Sequence, residues 1–186
     1  RQQMEDIVRG AIVAAEKLGT SAEDLLTAIG YETGGTFNPA QPGPRTKWGQ
    51  HRGLIQFGEP QAVQHNVSFT DGYQQVSESV VSYLLAAGFK PGMDFARLYG
   101  AINAGGVTDK HLGRSDAHAG GAPGSVLDKV ASENMRQNRA RAQALLAEYQ
   151  SSAETQLERD QERADRQAEQ ARERRDRFRE DQDQRN

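Results

Sequence analysis

Leu25-Leu26-Thr27-Ala28-Ile29-Gly30-Tyr31-Glu32-Thr33-Gly34-Gly35-Thr36-Phe37-Asn38-Pro39 is the stretch on which the reading of this chain turns. Leu25, Leu26 and Ile29 mark the inward stripe of a helix, and the paired Gly34 and Gly35 end it. Just upstream, Thr20 followed three residues later by Glu23 reads as a capping box that starts it. Glu32 lies seven residues after Leu25 and three after Ile29, on the face of the apolar stripe and in the last turn. Partial burial and the negative end of the helix dipole both disfavour a charge there, so Glu32 is expected to hold its proton, as a general acid must. A glutamate at a helix end is by itself commonplace, and its neighbours decide what it means.

Outward from this segment the chain reads as helical. Ile7, Ala11, Ala14, Ala15 and Leu18 recur at helical spacing over 4–18, and Gly19 supplies a left-handed stop. The segment 36–52 is rich in Pro and Gly and is followed by the short apolar run 53–57, which suits a loop and a small hairpin. Pro60 restarts a helix at its first turn. Val76, Val80, Tyr83, Leu84 and Ala87 before Gly88, and Phe95, Leu98, Tyr99 and Ile102 before Gly105, predict two more core helices. A polar, Gly-rich loop is expected over 107–124, then one amphipathic helix carrying Val126, Val130, Leu145, Leu146 and Tyr149. The globule is expected to close near Gln150, giving residues 1–150 as a domain and 151–186 as a charged helical extension or linker.

Three blocks in order carry a resemblance: the Glu32 segment Ala28 to Pro39, then Gly53-Leu54-Ile55-Gln56-Phe57, then Ala101-Ile102-Asn103-Ala104-Gly105. They resemble the lytic transglycosylase and goose-type lysozyme superfamily, with its glutamate at a helix end, Gly-Leu-Met-Gln-like turn and Ala-Tyr-Asn-Ala-Gly-like helix end. Glutamate followed by Thr-Gly-Gly-Thr-Phe-Asn-Pro looks particularly like bacteriophage virion members. Each block alone is a weak signal, and the ordered triple is the specific one. The resemblance implies an all-α, lysozyme-like fold with a minor hairpin. It also implies a lytic transglycosylase, a glycosidic-bond lyase that cleaves the MurNAc-GlcNAc β-1,4 bond of peptidoglycan and leaves 1,6-anhydroMurNAc.

Residue by residue, the resemblance makes Glu32 the catalytic acid and base, Gln56 a hydrogen-bonding residue beside the sugar, and Asn103 the asparagine near the catalytic site. Amides offer both donors and acceptors to an N-acetyl sugar, although turn and helix-end polarity also account for Gln56 and Asn103. The family's usual tyrosine in the third block is Ile102 here. Tyr99, one helical turn earlier, and Tyr31, beside the acid, are the candidates to replace its phenol, though helix geometry makes neither equivalent. Glycosidases ordinarily use two carboxyl groups about 5 Å or 6.5 to 9.5 Å apart. Only one is convincing here, since Glu59 precedes Pro60 and suits a helix cap. A single carboxyl group implies assistance from the substrate's own N-acetyl group. A positioned water would turn the same site into a hydrolytic lysozyme, and Ile102 is the feature that favours a third reading, a non-catalytic virion or wall-binding module.

Trp48, Phe37 and Phe57 offer flat faces to sugar rings, with core packing the stronger reading for the two phenylalanines and the polar setting of Trp48 favouring neither. Asp109, His111, Asp116 and His118 form two Asp-x-His pairs, but their spacing matches no dedicated metal site and the inferred chemistry needs none, so no metal or cofactor is expected. His51 beside Arg52 reads as a solvated hairpin residue or a contact to an anionic stem peptide.

Composition sets the limits. The chain has 186 residues, 26% of them charged, and a mean hydropathy of -0.81, which fits one compact domain plus an appendage. A formal charge of -3 supplies no basic field for nucleic acid, and no apolar run nears the roughly 20 residues of a membrane span. Cysteine is absent, so neither disulfides nor a thiolate-bound metal stabilises the fold. The start at Arg1, without a signal pattern, is expected of a piece of a longer protein. Past 157 the chain is mostly charged with both signs mixed, and Leu157, Ala164, Ala171 and Phe178 fall at seven-residue intervals, a weak seam better suited to a helical spacer than a coiled coil. The resemblance places such a protein in a phage virion, beside other virion proteins or the remainder of its own chain. There it would open the wall or periplasmic peptidoglycan for genome ejection.

Overall fold

Helix α1 spans Gln2–Leu18 and buries the stripe Ile7, Ala11, Ala14, Ala15 and Leu18. Gly19 ends it at φ 69, and the N–H groups of Gly19 and Thr20 both donate to Ala15 O. That commits Thr20 to closing α1, so the cap of α2 (Ala22–Glu32) moves one residue on from the predicted Thr20. Ser21, extended at φ -101, accepts from Asp24 N at 3.1 Å instead. The computed structural model describes residues 1–115 and 123–185 of the chain, and it is mostly helical with one small antiparallel sheet.

The hairpin pairs β1 (Pro42–Thr46) with β2 (Gly49–Arg52), in the register Thr46 with Gly49 and Arg45 with Gln50. Its strands therefore lie within the Pro- and Gly-rich segment. A two-stranded ribbon has only edges, and there proline costs no ladder hydrogen bond that the sheet needs. The apolar run that follows is a buried turn, closed by the bridge between Arg52 and Phe57, with Leu54, Ile55 and Phe57 all in the core. Helix α3 (Glu59–Gln64) carries Pro60 in its first turn.

Where one continuous helix is predicted, three pieces follow one another: α4 (Gly72–Gln74), a π-helical segment (Gln75–Val80) and α5 (Val81–Ala86). The π turn seats Gln75 in the core at 0% exposure. Its Oε1 accepts from Leu54 N at 2.7 Å, and its Nε2 donates to Pro39 O at 2.9 Å and Ser68 O at 2.7 Å. Three loops are thereby tied to one side chain. Gly53, at φ +95, leaves room for it, since a Cβ there would stand 2.8 Å from Gln75 Oε1.

Helix α6 (Phe95–Ala104) buries Leu98, Tyr99 and Ile102 and stops at Gly105, φ 74. The loop expected over 107–124 contains the single-turn helix α7 (Asp109–Leu112), and the last predicted helix is two, α8 (Val126–Val130) and α9 (Glu133–Arg185). Caps cause the break. Ser125 and Asp128 form a capping box on α8, and the Ser132 hydroxyl accepts from Met135 N to start α9 anew. Arg139 of α9 bonds Glu23 at 2.7 Å and Asp24 at 2.8 Å, acidic residues in the first turn of α2, where negative charge is favoured.

The chain divides into two units, Arg1–Leu146 and Ala147–Asn186, with the boundary inside α9. In the second unit Leu157 and Phe178 are 70% and 66% exposed, and among the described residues opposite charges meet as exposed pairs such as Arg166 with Glu162 at 3.8 Å. Such pairs add a few tenths of a kcal/mol each. Among the described residues no helix is long and apolar enough to cross a membrane.

Gln75→Leu keeps the volume of the buried side chain but leaves Leu54 N–H and the Pro39 and Ser68 carbonyls without their partner. The expected loss is roughly 3 kcal/mol of unfolding free energy, read as a lower urea midpoint. An unchanged midpoint would mean that these loops do not depend on Gln75.

Candidate active site

Glu32 is the last residue of α2 and is half-buried. Tyr99 reaches it from α6, its hydroxyl donating to Glu32 Oε1 at 2.7 Å. The phenol is itself fixed on two sides, with the edge of Tyr31 5.4 Å away and Phe95 stacked at 6.2 Å. Tyr99 is 0% exposed, and from the core its hydroxyl orients Glu32. Tyr31 is half-buried and braces Tyr99.

Tyr83, which sequence reasoning placed only on a core stripe, belongs to the site. Its hydroxyl donates to Ala101 O at 3.0 Å, at the end of α6. Burial, and after it the nearby charge of Glu32, push this phenol up to about 12, so it stays a neutral donor through the physiological range. No sequence signal separates it from an ordinary core tyrosine.

A cleft of about 570 Å³ opens beside Tyr83, with Trp48, Gln56, Phe57 and Asn103 also in its wall. Glu32, Tyr31 and Tyr99 are not among its described lining residues. Tyr83 lines the cleft, and the charge of Glu32 is near enough to act on its phenol.

Gln56 sits at φ 59 in the turn after β2. Its Nε2 donates to Gln41 O at 3.0 Å and Gly53 O at 2.9 Å. Two carbonyl partners fix which way the amide points, and its Oε1 packs against Gly43 of β1, so Gln56 is tied into the turn and the hairpin. Asn103, in the last turn of α6, accepts at Oδ1 from Lys129 Nζ at 3.3 Å, and that lysine is only 4% exposed. Trp48, at the hairpin turn, is 46% exposed with its ring in the cleft wall, whereas Phe57 is 2% exposed and meets Tyr83 edge-on at 5.8 Å. Phe57 therefore shapes the wall from the core and offers no open face to a ring. Phe37 is buried as well.

The remaining candidates have structural partners. Glu59 Oε1 accepts from Gln50 N at 3.1 Å and ties α3 to the hairpin. His51 places Nδ1 2.8 Å from Gln56 O and Nε2 2.7 Å from Thr46 Oγ1, so its ring nitrogens brace the turn. The carbonyl can only accept, which makes Nδ1 the protonated nitrogen. Asp109 pairs with Arg97 at 2.7 Å, and His111 Nδ1 lies 2.6 Å from Thr108 Oγ1. Asp116 and His118 lie outside the described residues.

Comparison with protein-family models, with curated proteins and with solved structures finds no match to this chain.

Tyr83 couples this geometry to pH. Its folded value lies above the ordinary 10.0, so the neutral phenol stabilises the fold fully below pH 10 and loses that contribution as pH rises towards about 12. A shift of this size corresponds to about 3 kcal/mol. Urea unfolding followed across this range is expected to show a steeper loss of stability in the wild type than in Tyr83→Phe, with Glu32→Gln intermediate. Identical slopes in all three would place Glu32's charge away from Tyr83.

Proposed function

We propose that this chain carries a peptidoglycan lytic transglycosylase of lysozyme-like fold, acting on the MurNAc-GlcNAc β-1,4 bond with Glu32 as general acid and base. The observation that carries the reading is the half-buried Glu32 carboxyl, held at 2.7 Å by the buried Tyr99 phenol and electrically close to a cleft-lining tyrosine. Ile102 stands where the family's tyrosine is expected, and Tyr99 supplies a phenol from the same helix, one turn earlier. That contact favours a working acid over a decayed one.

The chemistry follows from one carboxyl group. Protonated Glu32 gives its proton to the glycosidic oxygen as the C1–O bond breaks, and the substrate's acetamido oxygen covers C1 from the other side. Glu32, now a carboxylate, takes the proton of the muramic C6 hydroxyl. O6 then bonds to C1, closing the 1,6-anhydro ring and returning the carboxyl to its starting state with no water consumed. The exposed Trp48 face suits a sugar ring. Glu59, fixed to the hairpin, supplies no second carboxylate. The setting proposed is a phage particle opening the wall for genome ejection.

Clearing of a peptidoglycan suspension tests the reading. Glu32→Gln is expected to lower the rate by at least about 100-fold, and Tyr99→Phe, which removes one oxygen and keeps the ring, by about tenfold. Equal clearing by wild type and Glu32→Gln would overturn the assignment, and no clearing by either would leave a wall-binding module.

A further inference from the structure

The second unit presents an exposed helix face. From Leu157 to Phe178 the apolar residues of α9 are Leu157, Ala164, Ala168, Ala171 and Phe178, and Gln161 and Arg175 fill the gaps in a spacing that alternates four and three. That spacing is the seam of a two-stranded coiled coil, with Leu157 and Phe178 at its ends and alanines at its centre. Every one of these side chains is exposed. Spacing alone favours a spacer, and the charges bordering the seam point instead to a partner.

The border consists of Glu158, Asp160, Asp165 and Gln167 along the first half, then Arg172, Arg174 and Arg179 along the second. Around the whole helix both signs are mixed, but here all the acids precede all the arginines. Asp160 and Asp165 accept from Gln156 and Gln161, neutral amides that leave their charge uncompensated. The ion pairs among the described residues of this unit, Arg166 with Glu162 and Arg177 with Glu173, lie away from the border and are long at 3.8 and 3.9 Å. So polar a helix draws little support from within itself.

A partner with the reverse order of charge fits this border, and a second copy of the same segment running the opposite way supplies it. With Ala168 against Ala171 of the second copy at the two-fold centre, Glu158 faces Arg179 of the second copy and Asp165 faces its Arg172, each contact made twice by symmetry. A parallel pair would set Asp160 against Asp165 and Arg174 against Arg179, like charge on like. Arg175 in the seam weakens the pairing and fixes its register, as a polar seam residue does.

We infer that residues 157–179 are a self-association element, pairing with the same segment of a second copy as an antiparallel coiled coil. The inference concerns the second unit and does not depend on what the first unit acts on.

Sedimentation equilibrium of the full chain over a concentration series tests it, and a monomer–dimer equilibrium is expected. Glu158→Arg with Asp165→Arg makes the border basic throughout and is expected to weaken the dimer by about tenfold or more. Adding Arg172→Glu and Arg179→Glu reverses the whole order and is expected to restore most of the affinity, which a variant that merely melts the helix would not do. Direction is read by cross-linking, since the chain has no cysteine of its own. When Ala164→Cys and Arg175→Cys chains are mixed and oxidised, the mixed disulfide is expected to dominate over the two like pairs. A chain that stays monomeric, a dimer indifferent to the charge reversal, or a preference for like pairs overturns the inference.

Discussion

A carboxyl group at the C-terminal end of a helix, half out of water and facing the negative end of the helix dipole, is favoured by a nearby hydrogen-bond donor. In this chain the Tyr99 hydroxyl is such a donor, 2.7 Å from Glu32 Oε1. Tyr31 and Phe95 lock the phenol ring. Arg139 pins the start of α2 through Glu23 and Asp24 while its guanidinium lies over Phe95, so the helix that ends in Glu32 and the one that carries Tyr99 share a clamp. Gln75, from the π-helical segment, holds the loops around Pro39 and Leu54 that lead into the cleft wall.

The helices and the place of Glu32 at the half-buried end of α2 were legible in the sequence because both depend on local rules. Apolar periodicity and glycine stops place α1, α2 and α6, and the position of Glu32 on the buried stripe follows from counting residues. What was hidden depends on contacts made between distant segments. Tyr99 and Glu32 are 67 residues apart, and no spacing rule says that a phenol one turn before Ile102 can serve the acid. The π turn at Gln75 leaves no periodic trace, since Val76, Val80 and Leu84 remain buried either way. Tyr83 looked like core because it is core, and its second role comes only from the charge beside it.

Two further differences have local causes that compete. Thr20 N–H closes α1 onto Ala15 O, and Ser21, one residue on, caps α2. Gln56 reads as a two-way hydrogen-bonding amide until Gln41 and Gly53 occupy its donors. The resulting wall has one open aromatic face at Trp48, with Gln56, Gln61 and Asn103 among its polar residues. In the second unit the exposed, evenly mixed charges of α9 contribute little stability per pair.

The central claim is that a single carboxyl group gives a proton to one oxygen of the glycan and takes one from another. Mass spectrometry of the soluble fragments released from purified peptidoglycan by the full chain reads this directly. Muramic ends one water lighter than a reducing sugar are expected. Fragments carrying only hydrated reducing ends would contradict the closing of the anhydro ring by Glu32.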